Sequence, residues 1–187
     1  MNYIQYEEAP VAKFIFGNTK MSWFWLVVRL YVGWEWLIAG WGKFTGSGWV
    51  GDGAGNALSG FIKGALTKTA GAHPDVQGWY ASFLENVVLP NASFWSHLVV
   101  YGEILVGIAL LVGVFTGIAA FFGLFMNLSF MLAGTVSVNP ILFTVSIGLV
   151  LAWKIAGRIG LDRYLLPLLG TFWQPGNLFK QNGLNKN

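Results

Sequence analysis

The sequence contains no cysteine among its 187 residues, and only 10% of its residues are charged. The absence of cysteine excludes thiol–disulfide exchange, thiolate nucleophiles, iron–sulfur clusters and cysteine-bound zinc. Soluble globular domains carry about 25% charged residues, whereas 55% of this chain is hydrophobic and its mean hydropathy is +0.59. The composition therefore indicates an integral membrane protein. Any redox chemistry must depend on a group that is supplied from outside the chain.

The sequence also lacks an internal repeat and a low-complexity segment, and we expect no secretory signal. The first twenty residues contain Glu7 and Glu8 instead of a basic start followed by an apolar core. The net charge is +3, but the basic residues stand beside apolar runs, which is typical of membrane topology and not of nucleic-acid binding. We expect one membrane domain over residues 1–187.

Four long apolar runs predict an all-α integral membrane protein, a bundle of four transmembrane helices. Crossing a bilayer takes about 20 residues in a helix. The predicted spans are about 22–43, 97–115, 117–134 and 139–156, with an outer loop over 44–96 and cytoplasmic tails over 1–21 and 157–187.

The long loop between the first two spans predicts two short amphipathic helices. Asn56 is expected to cap the first of them, and the second is expected to begin at Pro74 or Asp75 and to end at Pro90. Such helices commonly lie in the membrane interface. The alternative is that they shape the entrance to a ligand site.

The basic residues at the ends of the spans predict the orientation. Cytoplasmic loops carry an excess of lysine and arginine. The side shared by both termini has Lys13, Lys20, Lys154, Arg158, Arg163, Lys180 and Lys186, and the other side has Lys43, Lys63 and Lys68. We therefore expect both termini in the cytoplasm, in the inner (plasma) membrane of a prokaryote.

Polar residues fall at one depth on all four predicted helices. With a rise of ~1.5 Å per residue, Glu35 lies ~12 Å, Glu103 ~9 Å and Asn127 ~10 Å from the outer end of its span. Thr144 and Ser146 lie at ~8 to 11 Å. Charged groups at such depth are costly and commonly functional, so this layer is the predicted site.

Two cations of the first span can complete this layer or stabilise the bundle. Lys43 stands just above it and can lower its ammonium toward Glu35 or Glu103. Arg29 lies ~21 Å from the outer end, on nearly the same helical face. One interpretation is structural, with Lys43 paired to Glu103 and Arg29 held by a neighbour's carbonyl groups. The other is a ligand or proton site.

Other cofactor signals are weak. His73 and His97 stand on the loop and at the mouth of a span, where a heme would be poorly buried, and neither has a CxxCH context. The glycine run over 51–55 follows no strand, so a dinucleotide motif is rejected. No bound metal is expected.

Four segments in this order resemble the DoxX/DoxD family. The matching positions are Arg29, Lys43, Glu103 and Asp162. The segments are RLYVGWEWLIAGWGK, YGEILVGIALLVGVFTGIAA, FMNLSFM and AWKIAGRIGLDRYLLP. The resemblance implies a four-helix membrane bundle. For DoxD-like members it implies the membrane subunit of a thiosulfate:quinone oxidoreductase.

The resemblance therefore implies an exchangeable quinone as the cofactor. A quinone headgroup needs an apolar slot, donors to its carbonyl oxygens and a group that exchanges protons. Glu103 and Glu35 can exchange protons in the catalytic role. The candidate donors are Lys43, Arg29, Asn127 and Trp41. Electrons are expected from thiosulfate or from a partner subunit, since the chain encodes no electron donor.

Two other functions are open at this point. The chain can be a non-catalytic accessory subunit of a larger respiratory or photosynthetic membrane complex, with its charges as structural ties. A small-solute transporter is less favoured, because the spans show no inverted repeat and no pair of broken helices.

Overall fold

The computed structural model describes residues 7–171 and 174–181, and most of them are helical. The helices are α1 Pro10–Gly17, α2 Ser22–Thr45, α3 Asn56–Leu66, α4 Gly78–Phe83, α5 Ala92–Val112, α6 Thr116–Leu132, α7 Asn139–Leu151, α8 Trp153–Ala156, α9 Asp162–Leu169 and α10 Asn177–Gln181. Two short strands, β1 Gly170–Thr171 and β2 Gln174–Pro175, pair antiparallel. Lys186 of the predicted tail lies outside the described residues.

Helix α2 packs most extensively against α5, and glycines bring the two backbones together. A β-carbon on Gly107 would lie 2.6 Å from the backbone nitrogen of Leu37, and one on Gly40 would lie 2.9 Å from that of Ile104. Neither position therefore has room for a larger residue. Small residues at membrane helix contacts permit such close approach.

Helices α6 and α7 complete the bundle around two buried tryptophans of α2. Trp36 is 3% exposed and its ring packs close to Gly123 of α6, while the ring of Trp25 packs close to Gly148 of α7. Large apolar side chains point outward from all four helices, with Trp34, Leu105, Phe125 and Ile141 more than half exposed. An outer surface of this kind suits lipid, not water.

One helical run meets the length and composition needed to cross a membrane within the described part of the chain. It extends over Gly78–Val112, joining α4 to α5 through a π-helical segment, Leu84–Val88, and a 3₁₀ turn, Leu89–Asn91. Helices α6 and α7 are apolar but shorter. Helix α2 carries three charged residues and five tryptophans over its length, which lower its mean hydropathy.

Helices α3 and α4 form a cap over one end of the bundle, and this cap differs in detail from the prediction. The helix expected from Pro74 begins at Gly78, and Pro90 does not end it, because a proline early in the 3₁₀ turn is tolerated there. The N-cap of α3 is Gly55, with φ of +95°, and not Asn56 as expected, since Asn56 is the first residue of the helix. The two cap helices pack on each other and on the end of α6 through Ile62, Tyr80, Leu84 and Ala133, among others.

The turn between α5 and α6 also lies earlier than predicted. The predicted spans 97–115 and 117–134 place it at residue 116, whereas the chain turns at residues 113–115. Gly113 and Phe115 both adopt positive φ, 74° and 47°, which allows α6 to begin at once. This turn, together with α1, α8 and α9, forms the end of the bundle opposite the cap.

Gly107→Ala tests the close approach of α2 and α5. The added β-carbon would meet the Leu37 backbone, which cannot rotate away as a side chain can, so we expect a loss of about 1–3 kcal/mol of stability. Thermal unfolding in detergent, followed by circular dichroism, measures it. Gly60→Ala on α3 is the control, since no atom lies within 4 Å of its β-carbon position. Equal midpoints for the two variants would contradict the packing argument.

Candidate functional site

Lys43 and Glu103 form an ion pair between α2 and α5 beneath the cap. The lysine Nζ donates to Oε1 of Glu103 at 2.9 Å and to Oε2 at 2.7 Å. The glutamate side chain is 1% exposed, whereas the lysine side chain is 22% exposed. The pair is therefore reached from the lysine side. It is the one salt bridge found between described residues.

Aromatic rings surround the lysine ammonium. Nζ lies 5.4 Å from the centre of the Trp49 ring and 5.8 Å from that of Phe130, distances at which a cation is attracted to a ring face. An ammonium has three N–H donors, and Glu103 takes two. The third has no hydrogen-bond acceptor among the described residues.

The contact of Gly40 of α2 with α5 explains why the Glu103 side chain lies between the two helices and not on the outer surface of α5. A β-carbon on Gly40 would lie 3.0 Å from the β-carbon of Glu103, so the side chain starts at the helix interface. Lys43 stands one turn further along α2 on nearly the same face as Gly40. The spacing of these two residues on α2 places the ammonium above the carboxylate.

Below the ion pair, three buried polar atoms have no hydrogen-bond partner in the described part of the chain. They are Trp36 Nε1, Asn127 Oδ1 and Ser146 Oγ. The Asn127 amide nitrogen donates to the backbone oxygen of Asn139 at 3.2 Å, which joins α6 to the start of α7.

These atoms line the contacts of α6 with its neighbours. A β-carbon on Gly123 would lie 2.9 Å from Trp36 Nε1, and Asn127 stands one turn along the same face of α6. Phe130, which contacts the Lys43 ammonium, follows on that face, and its ring centre is 6.5 Å from that of Trp36. A donor and an acceptor are thus both unused between the ion pair and the centre of the bundle.

Glu35 and Trp41 stand apart from this cluster, contrary to the predicted grouping. Glu35 and Gly33 are two residues apart, about 160° around α2 by helical geometry, and Gly33 packs on α5. Glu35 is half-buried and makes no ion pair or hydrogen bond with a described residue. Trp41 is 57% exposed on the outer face of α2. Depth counting gives Glu35 a level, which stays a prediction, and it cannot give the direction of the side chain.

Arg29 lies at the opposite end of α2 and is 1% exposed. Its Nη2 donates to the backbone oxygen of Ile159 at 2.8 Å. The guanidinium packs directly on Gly113 and Gly160, which leaves no room for a ligand. The structure thus contains both contacts of the structural interpretation, Lys43 with Glu103 and Arg29 with a carbonyl group.

Asp162 supports the same end of the bundle. Its Oδ1 accepts from the backbone N–H of Phe115 at 2.6 Å, and its Oδ2 accepts from that of Thr116 at 2.9 Å. A carboxylate at a helix N-terminus also interacts favourably with the helix dipole. This acid therefore fixes the turn between α5 and α6, and its charge also interacts with Arg29.

The remaining polar residues make local contacts. Thr144 Oγ1 donates to Pro140 O within α7. His97 Nδ1 lies 2.7 Å from Ser93 O, and its ring stacks on Tyr101. Within the described residues, no group of three or more histidine, aspartate and glutamate side chains is arranged to hold a metal ion.

Sequence reasoning missed Trp49 and Phe130 as neighbours of the lysine, and it did not assign Trp36 to the site. The spacing of seven residues between Trp36 and Lys43 was a usable signal, because it places both on one face of α2. Nothing in the sequence pattern indicates that the loop folds Trp49 back over Lys43.

A family model described as DoxX matches residues 24–138. The matched segment runs from α2 to the end of α6 and includes Lys43, Glu103 and Asn127, whereas Asp162 lies beyond it. No curated protein and no solved structure matches the chain significantly.

A double-mutant cycle on Lys43→Gln and Glu103→Gln tests the ion pair. Lys43→Gln leaves a fully buried carboxylate unpaired, so we expect a loss of about 3–5 kcal/mol. Glu103→Gln should cost less, because the remaining ammonium is partly exposed. Unfolding in detergent measures both, and the double variant should fall short of the sum by about 1–3 kcal/mol. Glu35→Gln is the control, because Glu35 has no partner among the described residues. Additive losses would show that the two groups do not interact.

Proposed function

Because the chain belongs to the DoxX family, a membrane family, we propose that it is the membrane subunit of a quinone-linked oxidoreductase of the DoxD type. The observation that carries the proposal is the Lys43–Glu103 pair, a buried carboxylate held by an ammonium with one free N–H under two aromatic rings. Such a site offers a charged donor beside a group that can hold a proton.

The proposal includes the membrane arrangement. Helices α2, α5, α6 and α7 cross the bilayer, with the cap of α3 and α4 outside and both termini in the cytoplasm of a prokaryotic cell. The excess of basic residues at the ends near the termini supports this orientation. The outward apolar side chains of all four helices support the four crossings.

The residues beneath the cap fit a quinone headgroup. A quinone presents carbonyl oxygens and a flat ring. Lys43 has one unused N–H, the Trp36 indole N–H is buried without a partner among the described residues, and Trp49 and Phe130 supply apolar ring faces. Lys43 would bind the headgroup, and Trp36 would orient its other side.

Reduction of a quinone to a quinol consumes two electrons and two protons. Glu103 and Lys43 can hold and pass protons at Oε and Nζ, because they already share hydrogen bonds. The electrons come from outside the chain. Either two thiosulfate ions release them on joining to form tetrathionate, or a partner subunit delivers them. Arg29 and Trp41 have no part in this site, and neither does Glu35.

Binding of a short-chain quinone analogue to the purified protein tests the site. We expect quenching of tryptophan fluorescence, since Trp36 and Trp49 lie beside it. Lys43→Gln should weaken binding by about tenfold or more, because a hydrogen bond to a charged group contributes about 1.5–3 kcal/mol. Lys63→Gln, the same change on α3, should bind as the unmodified chain does. Tight binding that survives in the Lys43→Gln and Glu103→Gln double variant would exclude this site.

A second candidate function is a non-catalytic accessory subunit of a larger membrane complex. The observation that favours it is Glu35, which lies half-buried at bilayer depth with no partner among the described residues. Charges in a membrane are costly unless a neighbour pairs with them. A helix of another subunit can supply that neighbour.

Gentle solubilisation of native membranes distinguishes the two functions. An accessory subunit should migrate in a complex much larger than 20.5 kDa. In the Glu35→Gln variant a fraction of the subunit should dissociate from that complex, because the contact between subunits would lose its charge. Native gels with an antibody to the chain measure this. Tyr31→Phe, on the same exposed side of α2, is the control. Migration of the unmodified chain alone, with quinone binding intact, would contradict the accessory function.

A further inference from the structure

A cavity of about 170 Å³ at the end of the bundle opposite the cap is lined by three cations, Lys154, Arg158 and Arg163, with Asp162, Leu166 and Pro167. We propose that it binds the phosphate of an anionic phospholipid. The proposal does not depend on the quinone site, which lies at the other end of α2 and α5.

The positive charge of this cavity is not neutralised within the described chain. Lys154, Arg158 and Arg163 are exposed, and none of them pairs with a described acid. Lys154 Nζ lies 5.8 Å from the Trp153 ring centre, and Arg163 lies 6.0 Å from that of Tyr164. These ring contacts leave the cationic groups free to bind an anion.

The single acid in the lining is already engaged. Asp162 is 2% exposed, and both of its oxygens accept backbone hydrogen bonds from the start of α6. The buried charge of Arg29 also interacts with it from the protein side. Its negative charge is therefore compensated inside the bundle, and three cations remain to face an anion.

The apolar part of the cavity lining favours a lipid over a free anion. Leu166 and Pro167 of α9 line the cavity together with the three cations. The cavity also follows directly after α7, at the level where a membrane helix would meet the headgroups in the proposed membrane arrangement. Basic pockets at this level bind phospholipid headgroups. The acyl chains of such a lipid would lie against Leu166 and Pro167.

The test uses the purified full-length chain in mixed micelles containing phosphatidylglycerol or phosphatidylcholine. We expect phosphatidylglycerol to raise the midpoint of thermal unfolding more than phosphatidylcholine does. Arg158→Gln with Arg163→Gln should weaken the apparent affinity for phosphatidylglycerol by about thirtyfold, which corresponds to about 2 kcal/mol for two cations near an anionic surface. In a third measurement, the unfolding midpoint is determined with inorganic phosphate and without either phospholipid.

Lys13→Gln with Lys20→Gln is the matched control, since it removes two exposed charges from the same end of the bundle, outside the cavity. The control should keep the preference for phosphatidylglycerol. An equal loss in the control would indicate diffuse surface attraction and overturn the proposal. An unchanged affinity for phosphatidylglycerol in the variant with Arg158→Gln and Arg163→Gln would also overturn the proposal. Equal stabilisation by inorganic phosphate alone would assign the cavity to a free anion and exclude the lipid.

Discussion

The close contact between α2 and α5 is the constraint on which the rest of the structure depends. Lipid tails are as apolar as leucine, so membrane helices are held together by close packing and polar contacts and not by water. Gly33, Gly40 and Gly107 allow that packing because a β-carbon at any of them would meet the facing helix at 3.0 Å or less. Glu103 is buried because it starts at this contact. The ion pair with Lys43 follows from the packing.

The two ends of α2 use their cations differently. At one end, Arg29 is enclosed by Gly113 and Gly160, and the neighbouring turn is fixed by Asp162. The hydrogen bonds of Arg29 and Asp162 there go to backbone groups, which is a structural role, although Arg29 Nε and Nη1 are buried without a hydrogen-bond partner among the described residues. At the other end, Lys43 keeps 22% of its side chain exposed and one N–H unused. The same helix thus encloses one charge within the bundle and leaves another partly exposed, as the proposed ligand site requires.

The sequence indicated polar side chains that the structure buries, but not the direction in which each of them points. A constant helical rise puts Glu103, Asn127 and Ser146 at one level, which stays a prediction, and the structure buries all three. It could not tell that Glu35 faces away from α5, because that direction depends on which side of α2 the glycines bring to its neighbour. The role of Asp162 in capping α6 joins residues 46 apart, and the fold of Trp49 over Lys43 depends on the path of a loop. Neither leaves a periodic pattern.

Trp36 Nε1, Asn127 Oδ1 and Ser146 Oγ are buried without a hydrogen-bond partner among the described residues. They bear on whether this bundle has only a structural role. A buried donor or acceptor without a partner costs about 1–3 kcal/mol, and apolar packing commonly stabilises as well as a buried ion pair does. A protein selected only for stability would therefore gain by replacing Asn127 or Ser146 with apolar residues. Trp36 Nε1 and Asn127 Oδ1 are a donor and an acceptor on facing helices, below an ammonium that has one N–H to spare. In the proposed quinone site, a molecule with carbonyl and hydroxyl groups would satisfy all three, and that function would account for the cost of these residues.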